Sequence, residues 1–221
     1  MLSIVATPIG NMEDITLRAL RTLRECDVIY AEDTRVISKL LAHYEIQKPL
    51  QRLDAATEHK KADEVITRLE AGEHIVFVSD AGTPGISDPG ARLVSRVREA
   101  GARIETIPGP SALTAALSIA GLDSGEFTFL GFLPHKKGRQ TALKEIAASV
   151  RPVVLYESPH RILKLLEELA SAEVFTVSIG RELTKVHEEF LIGEPRTIAA
   201  DLEKRGAVRG EFVVIAHPLE S

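Results

Sequence analysis

The sequence predicts an α/β chain in two domains, with a parallel sheet in the N-terminal domain and a mixed sheet in the C-terminal one. Three observations carry this. Short apolar runs alternate with helical patterns as far as Ile107, the rhythm of strands joined by crossover helices. Beyond Gly121, apolar runs follow one another with fewer helices between them, as in a mixed sheet. Pro108-Gly109-Pro110 punctuates the chain between the two regimes. The chain's 221 residues suit one large domain or two compact ones. A boundary near residue 115 gives domains of 1–115 and 116–221.

Ser3 to Ala6 reads as a buried strand, and after the Thr7-Pro8-Ile9-Gly10-Asn11 loop, Ile15, Leu17, Leu20 and Leu23 recur at helical spacing. A second strand spans Asp27 to Ala31. Asp33 or Thr34 then caps a helix to about Tyr44, and a further helix over Ala62 to Ala71 stops at Gly72. An apolar strand over Ile75 to Ser79 leads into the Gly/Pro-rich loop Asp80 to Gly90, a helix ending near Gly101, and a strand at Arg103 to Ile107. A small-residue helix covers Ser111 to Ala120. Later strands are expected at Phe127 to Gly131, Val153 to Tyr156, Val174 to Gly180, Glu188 to Ile192 and Glu211 to His217, with helices near Gln140 to Ser149, Pro159 to Ala170 and Ile198 to Lys204.

Composition excludes several classes. With 44% hydrophobic and 27% charged residues, neither disorder nor a fibrous architecture fits. Net charge is −5, shared evenly along the chain, so a general nucleic-acid coat is disfavoured while local basic patches stay open. The single cysteine, Cys26, supports neither an internal disulfide nor a Cys-rich metal site. The start lacks a basic n-region, and no run approaches the roughly 20 apolar residues of a membrane span, so a cytoplasmic protein is expected.

Three loops, Thr7 to Asn11, Asp80 to Gly90 and Pro108 to Ser111, each follow a parallel-type strand and should converge on one sheet edge, where ligands bind in open α/β folds. None has the glycine spacing of a dinucleotide fold or a P-loop, which weakens phosphate-based cofactors. Metal-ligand and nucleophile-elbow patterns are also missing from the sequence.

At this point the motifs Val5-Ala6-Thr7-Pro8-Ile9-Gly10-Asn11, Ala31-Glu32-Asp33-Thr34-Arg35, Val78 to Gly90, Ile107 to Ala112, Gly131-Phe132-Leu133-Pro134, Tyr156 to Arg161, Gly180 to Lys185 and Gly210 to Val214 resemble the tetrapyrrole methylase superfamily, within it a branch that methylates ribosomal RNA. The resemblance spans nearly the whole chain. It implies a two-domain α/β fold with S-adenosylmethionine in a cleft between the domains. It further implies 2′-O-methylation of a cytidine in the decoding region of small-subunit (16S) rRNA, free or in the assembled small ribosomal subunit, and a homodimer. No metal is expected, because the sulfonium already activates the methyl group. Carried onto this chain, Pro8 shapes the first loop, Asp80, Ala81, Gly82 and Thr83 line the cofactor, Ser111 and Ala112 cover it, and Tyr156, Leu183 and Ala216 enclose the adenine. Plain turn, cap or core roles remain open for all of these, as does simple packing for Tyr156.

Asp33 and Glu182 are candidate proton acceptors, with helix capping and a surface ion pair as their alternatives. Lys136, Lys137 and Arg139 lie in an acid-free run from Pro134 to Lys144 and are candidate phosphate contacts, with Arg35 as a further one. Many members of the branch continue into a helical extension, whereas this sequence stops at Pro218-Leu219-Glu220-Ser221, so docking by such an extension is not carried over. The competing functions are a sister methylase acting on a tetrapyrrole, corrin precursor or translation factor, and a non-catalytic cofactor-sensing module.

Overall fold

In the N-terminal half, residues apolar on both faces form short strands, which a parallel sheet buries between two helix layers. The computed structural model describes residues 1–122 and 125–218, and the chain end Leu219-Glu220-Ser221 lies outside them. It forms two units, Met1–Ser111 and Ala112–Ser221.

The first unit runs β1 (Leu2–Val5), α1 (Leu17–Glu25), β2 (Val28–Ala31), α2 (Thr34–His43), β3 (Leu50–Arg52), α3 (Glu58–Glu70), β4 (Ile75–Val78), α4 (Ala91–Glu99) and β5 (Ile104–Ile107). Its strands are all parallel, in the order β3-β2-β4-β1-β5. Alternation along the strands divides the core. Val5, Ile29, Ala31, Val76 and Val78 pack with α1 and α2, while Leu2, Val28, Tyr30, Ile75 and Phe77 pack with α3 and α4. The helices following neighbouring strands β1 and β4 therefore lie on opposite faces. That reversal opens a crevice beyond the carboxyl ends of the two strands.

Two features of this unit escape a pattern reading. The edge strand β3, Leu50-Gln51-Arg52, has no apolar run to mark it. Helix α3 begins at Glu58 rather than Ala62, behind a turn in which Asp54 Oδ1 accepts from Thr57 N at 2.8 Å. Glu58 then does unexpected work. It is 4% exposed, and its Oε1 accepts from Gly90 N (3.0 Å) and Leu93 N (2.9 Å), capping α4, whose own N-cap residue Gly90 has no side chain.

The second unit contains α5 (Ala112–Ile119), β6 (Thr128–Phe132), α6 (Arg139–Ala147), β7 (Val153–Glu157), α7 (Ile162–Ser171), β8 (Val177–Arg181), β9 (Glu189–Gly193), α8 (Pro195–Lys204) and β10 (Phe212–Ala216). The sheet order is β6-β7-β10-β8-β9. Only the β6–β7 pair is parallel among these strands, so the sheet is mixed, as the sequence predicts. Helix α8 starts three residues earlier than expected because Glu194 caps it, accepting from Thr197 N at 2.7 Å, with Pro195 in the first turn. Leu165, Leu166 and Leu169 of α7 anchor the core under the sheet.

Candidate functional site

The three loops predicted to converge do meet at the carboxyl edge of the first unit's sheet. Thr7 N donates to Gly82 O (2.9 Å) and Gly82 N donates to Thr7 O (3.0 Å), an antiparallel bridge joining the loops after β1 and β4. Thr83 Oγ1 donates to Pro110 O at 3.3 Å, which ties in the loop after β5. Gly82 has φ +73°, a left-handed conformation that favours glycine, and packs against Ile9 and Pro110. Pro8 and Asp80 are half-buried beside this junction, Ala81 is exposed, and Ser111 is half-buried at its margin.

The loop after β2 belongs to the same edge. Asp33 N donates to Asp80 Oδ1 at 2.9 Å. Glu32 and Asp88 line a cleft of about 470 Å³ together with Ala55, Glu58 and Pro89. Burial pushes the Glu32 carboxyl up to about 6, reinforced by the charges of Asp80, Asp88, Asp54 and Asp33. Asp88 is likewise pushed up to about 6, by burial first and by Asp80 second, against a hydrogen bond from Ser79. The edge is thus strongly electronegative.

Asp33 and Glu182 are a cap and a clasp, not free bases. Hydrogen bonds from the Arg35 side chain (Nε at 3.0 Å) and backbone N (2.9 Å) hold Asp33 down at about 2. For Glu182, burial is outweighed by Lys185 Nζ (2.8 Å) and Glu211 N (3.0 Å), which lower its carboxyl below the ordinary range. A base works best with an affinity for protons near the working pH, and both fall short. The groups that meet that condition, Glu32 and Asp88, lie in the Ala31 to Arg35 and Val78 to Gly90 motifs but are not among the candidate proton acceptors of the sequence. Their basicity comes from burial and crowding among carboxylates.

In the second unit, Tyr156 packs edge-on to Phe129 and Phe132, with centroids at 5.0 and 5.8 Å, and its hydroxyl accepts from Leu113 N at 3.2 Å. It thereby fixes the first turn of α5, next to Ala112. Leu183 is buried against Gly180. Ala216, expected at the adenine, is 1% exposed within the second unit's own core.

The basic run is divided. His135, Lys136 and Lys137 are exposed, whereas Arg139 is 4% exposed. Arg139 Nε donates to Glu168 Oε2 (2.8 Å) and Nη1 to Pro134 O (3.2 Å), so it is a buried structural cation and not a phosphate contact. The reason is helical phase: Arg139 opens α6 on the face that also carries buried Leu143 and Ile146. Arg35 is exposed but bidentate on Asp33, so its charge is largely neutralised.

With this geometry in view, comparison with known proteins is decisive. The family model for tetrapyrrole (corrin/porphyrin) methylases matches residues 1–199. The chain belongs to the tetrapyrrole methylase family. It is 44% identical over 218 residues to a Thermotoga maritima protein named ribosomal RNA small subunit methyltransferase I, covering 97% of this chain and 96% of the relative. A Xylella fastidiosa protein of the same name is 48% identical over 221 residues, covering 97% of this chain and 80% of the relative. The fold is shared with cobalt precorrin-4 methyltransferase, at TM-score 0.72 and 19% identity, over 98% of this chain and 94% of that one. Among the described residues, no helix is long and apolar enough to cross a membrane.

Proposed function

We propose that this protein is an S-adenosylmethionine-dependent methyltransferase that acts on small-subunit ribosomal RNA, at the 2′-hydroxyl of a cytidine in the decoding region, in the cytoplasm and as a homodimer. The observation that carries the substrate is the high identity, along nearly the full chain, to proteins named for that rRNA. Relatives with corrinoid-directed names share only the fold level of similarity, so the tetrapyrrole alternative is the weaker one.

The first unit's edge supports the cofactor. S-adenosylmethionine carries a sulfonium and an ammonium against one carboxylate, so it is a net cation at neutral pH. Glu32, Asp80 and Asp88 supply a field of the matching sign. Pro8, Asp80 to Thr83, Ser111 and Ala112 would hold it. When bound, the cofactor supplies an activated methyl group to an oxygen nucleophile. The chain's part is to orient the donor and to keep its charge balanced.

Titration makes this testable. Because Glu32 and Asp88 bind protons more tightly folded than unfolded, the native state holds more protons between about pH 4 and 6, and stability falls as pH rises through that window. Glu32→Gln with Asp88→Asn should therefore raise the melting temperature at pH 7.5 and have little effect at pH 4. Cofactor affinity by calorimetry should move oppositely, rising from pH 5 to 7.5 in the parent and staying flat in the double variant. A flat parent profile would remove the electrostatic role.

The exposed Lys136 and Lys137 are the docking cations for RNA phosphates in this reading. Their joint replacement by Ala should weaken binding of undermethylated small ribosomal subunits and make the slope of log K against log salt shallower by about 1.5, leaving cofactor affinity unchanged. Mass spectrometry of the nucleoside produced from subunits and labelled cofactor identifies the product. Methylation of a base, or of a corrinoid instead of rRNA, contradicts the assignment.

A further inference from the structure

The loop that presents Lys136 and Lys137 is gripped from below by two arginines from different elements. Arg139, buried at the start of α6, reaches the carbonyl of Pro134 through Nη1 (3.2 Å) while Nε holds Glu168 (2.8 Å). Arg161, immediately before α7, reaches the carbonyl of Leu133 through Nη1 (3.1 Å) while Nη2 meets Glu157 Oε1 at 2.7 Å. The Arg161 guanidinium also lies over the Phe132 ring, 6.0 Å from its centroid. Glu157 is fully buried, and its Oε1 accepts from Ser158 N as well (2.8 Å). Arg139 Nη2 pairs with Glu168 Oε2 at 2.6 Å and stands 4.0 Å from Glu157 Oε2, a buried oxygen with no hydrogen-bond partner among the described residues.

The guanidiniums of buried Arg139 and half-buried Arg161 therefore take hold of the consecutive carbonyls of Pro134 and Leu133, where the chain leaves β6 for the basic loop. Of the carboxylates behind them, Glu157 is fully buried and Glu168 half-buried. Each arginine divides its guanidinium between carboxylate and loop, Arg139 with Nε and Nη2 on Glu168 and Nη1 on the loop, Arg161 with Nη2 on Glu157 and Nη1 on the loop, a division a single ammonium achieves poorly. A core serving only stability has little use for such groups, since apolar packing of similar volume is often as stable. What the arrangement does accomplish is to fix the direction in which the next residues leave the sheet. Lysines on a fixed loop meet a polyanion with less ordering than lysines on a loose one.

We propose that Arg139 and Arg161 are positioning residues for RNA docking, setting the backbone of 133–138 so that Lys136 and Lys137 face the phosphates as a preset pair. This rests on the reading of those lysines as docking cations. The charge of Arg139, which the sequence suggests is spent on RNA, is spent instead on the loop that meets it.

The test is Arg139→Lys, which keeps the charge beside Glu168 but gives up simultaneous contact with Pro134, and in parallel Arg161→Lys, which keeps the Glu157 pair and gives up Leu133. Methylation of undermethylated small ribosomal subunits is measured together with the rate of trypsin cleavage after Lys136 and Lys137 in the full chain. We expect KM for subunits to rise about tenfold, the effect of losing one charge-assisted hydrogen bond, with kcat and cofactor affinity unchanged. Loop cleavage should accelerate in both variants, with the melting temperature moving little. Parental KM and parental cleavage rate in both variants overturn the proposal, even if the melting temperature drops. If Lys136→Ala/Lys137→Ala itself binds subunits like the parent, the docking reading falls and takes the proposal with it. If that double variant is impaired while both arginine variants are not, the proposal alone falls.

Discussion

Gly90→Ala is expected to destabilise the first unit by about 3 kcal/mol, the sum of a strained backbone and an overpacked core. Gly90 has φ +126°, and a Cβ there would sit 2.7 Å from Cε1 of Phe77, a ring with no exposure to solvent. The neighbouring sheet and Glu58, which holds Gly90 N, leave the ring and the chain no room to separate. Gly101→Ala is the control. Its φ is +73° but nothing lies within 4 Å of the added carbon, so about 1 kcal/mol is expected. Urea unfolding followed by circular dichroism compares the two, and equal losses would show that the Phe77 contact relaxes freely.

Arg161→Met should be comparably severe for the second unit, at about 3 to 5 kcal/mol, because it strands the Glu157 carboxylate in a site with no exposure. Arg139, 4.0 Å from the other carboxylate oxygen, is too far for a hydrogen bond and already holds Glu168. Adding Glu157→Gln to Arg161→Met removes the stranded charge and should recover at least half of the loss. If the single variant unfolds within about 1 kcal/mol of the parent, Glu157 is not held as a buried anion.

The sequence makes the strands, the helices and the loop convergence legible because each leaves a local mark. Apolar runs, helical spacing and Gly/Pro loops are properties of short windows. The misses share the opposite character. Leu50-Gln51-Arg52 is a strand only because Ile29 to Ala31 stand beside it to be paired with. Glu58 looks like any charge ahead of a helix until α4 arrives with an uncapped end. Arg139 reads as one more cation in a basic run, since composition records neither the phase of α6 nor the position of Glu168 across α7. Asp33 and Glu182 are in the right motifs for chemistry, but their strength as bases depends on Arg35 and Lys185, which reach them through side-chain geometry. Glu32 and Asp88 acquire basicity from burial first and from neighbouring carboxylates second, and no spacing rule encodes that.

The reciprocal Thr7–Gly82 bridge settles when the loops at the first unit's edge lose their freedom. A pair of loops left open would surrender backbone entropy, about 1 to 2 kcal/mol per residue, each time a ligand ordered them. Here the two are already closed into rings by backbone hydrogen bonds continuous with the sheet, so that entropy is given up once, as the unit folds. The amides of Thr7 and Gly82 should accordingly exchange with solvent as slowly as those of the adjoining strands, with or without a ligand present. Association at this edge then resembles docking onto a rigid template, with little conformational entropy left for the incoming molecule to remove.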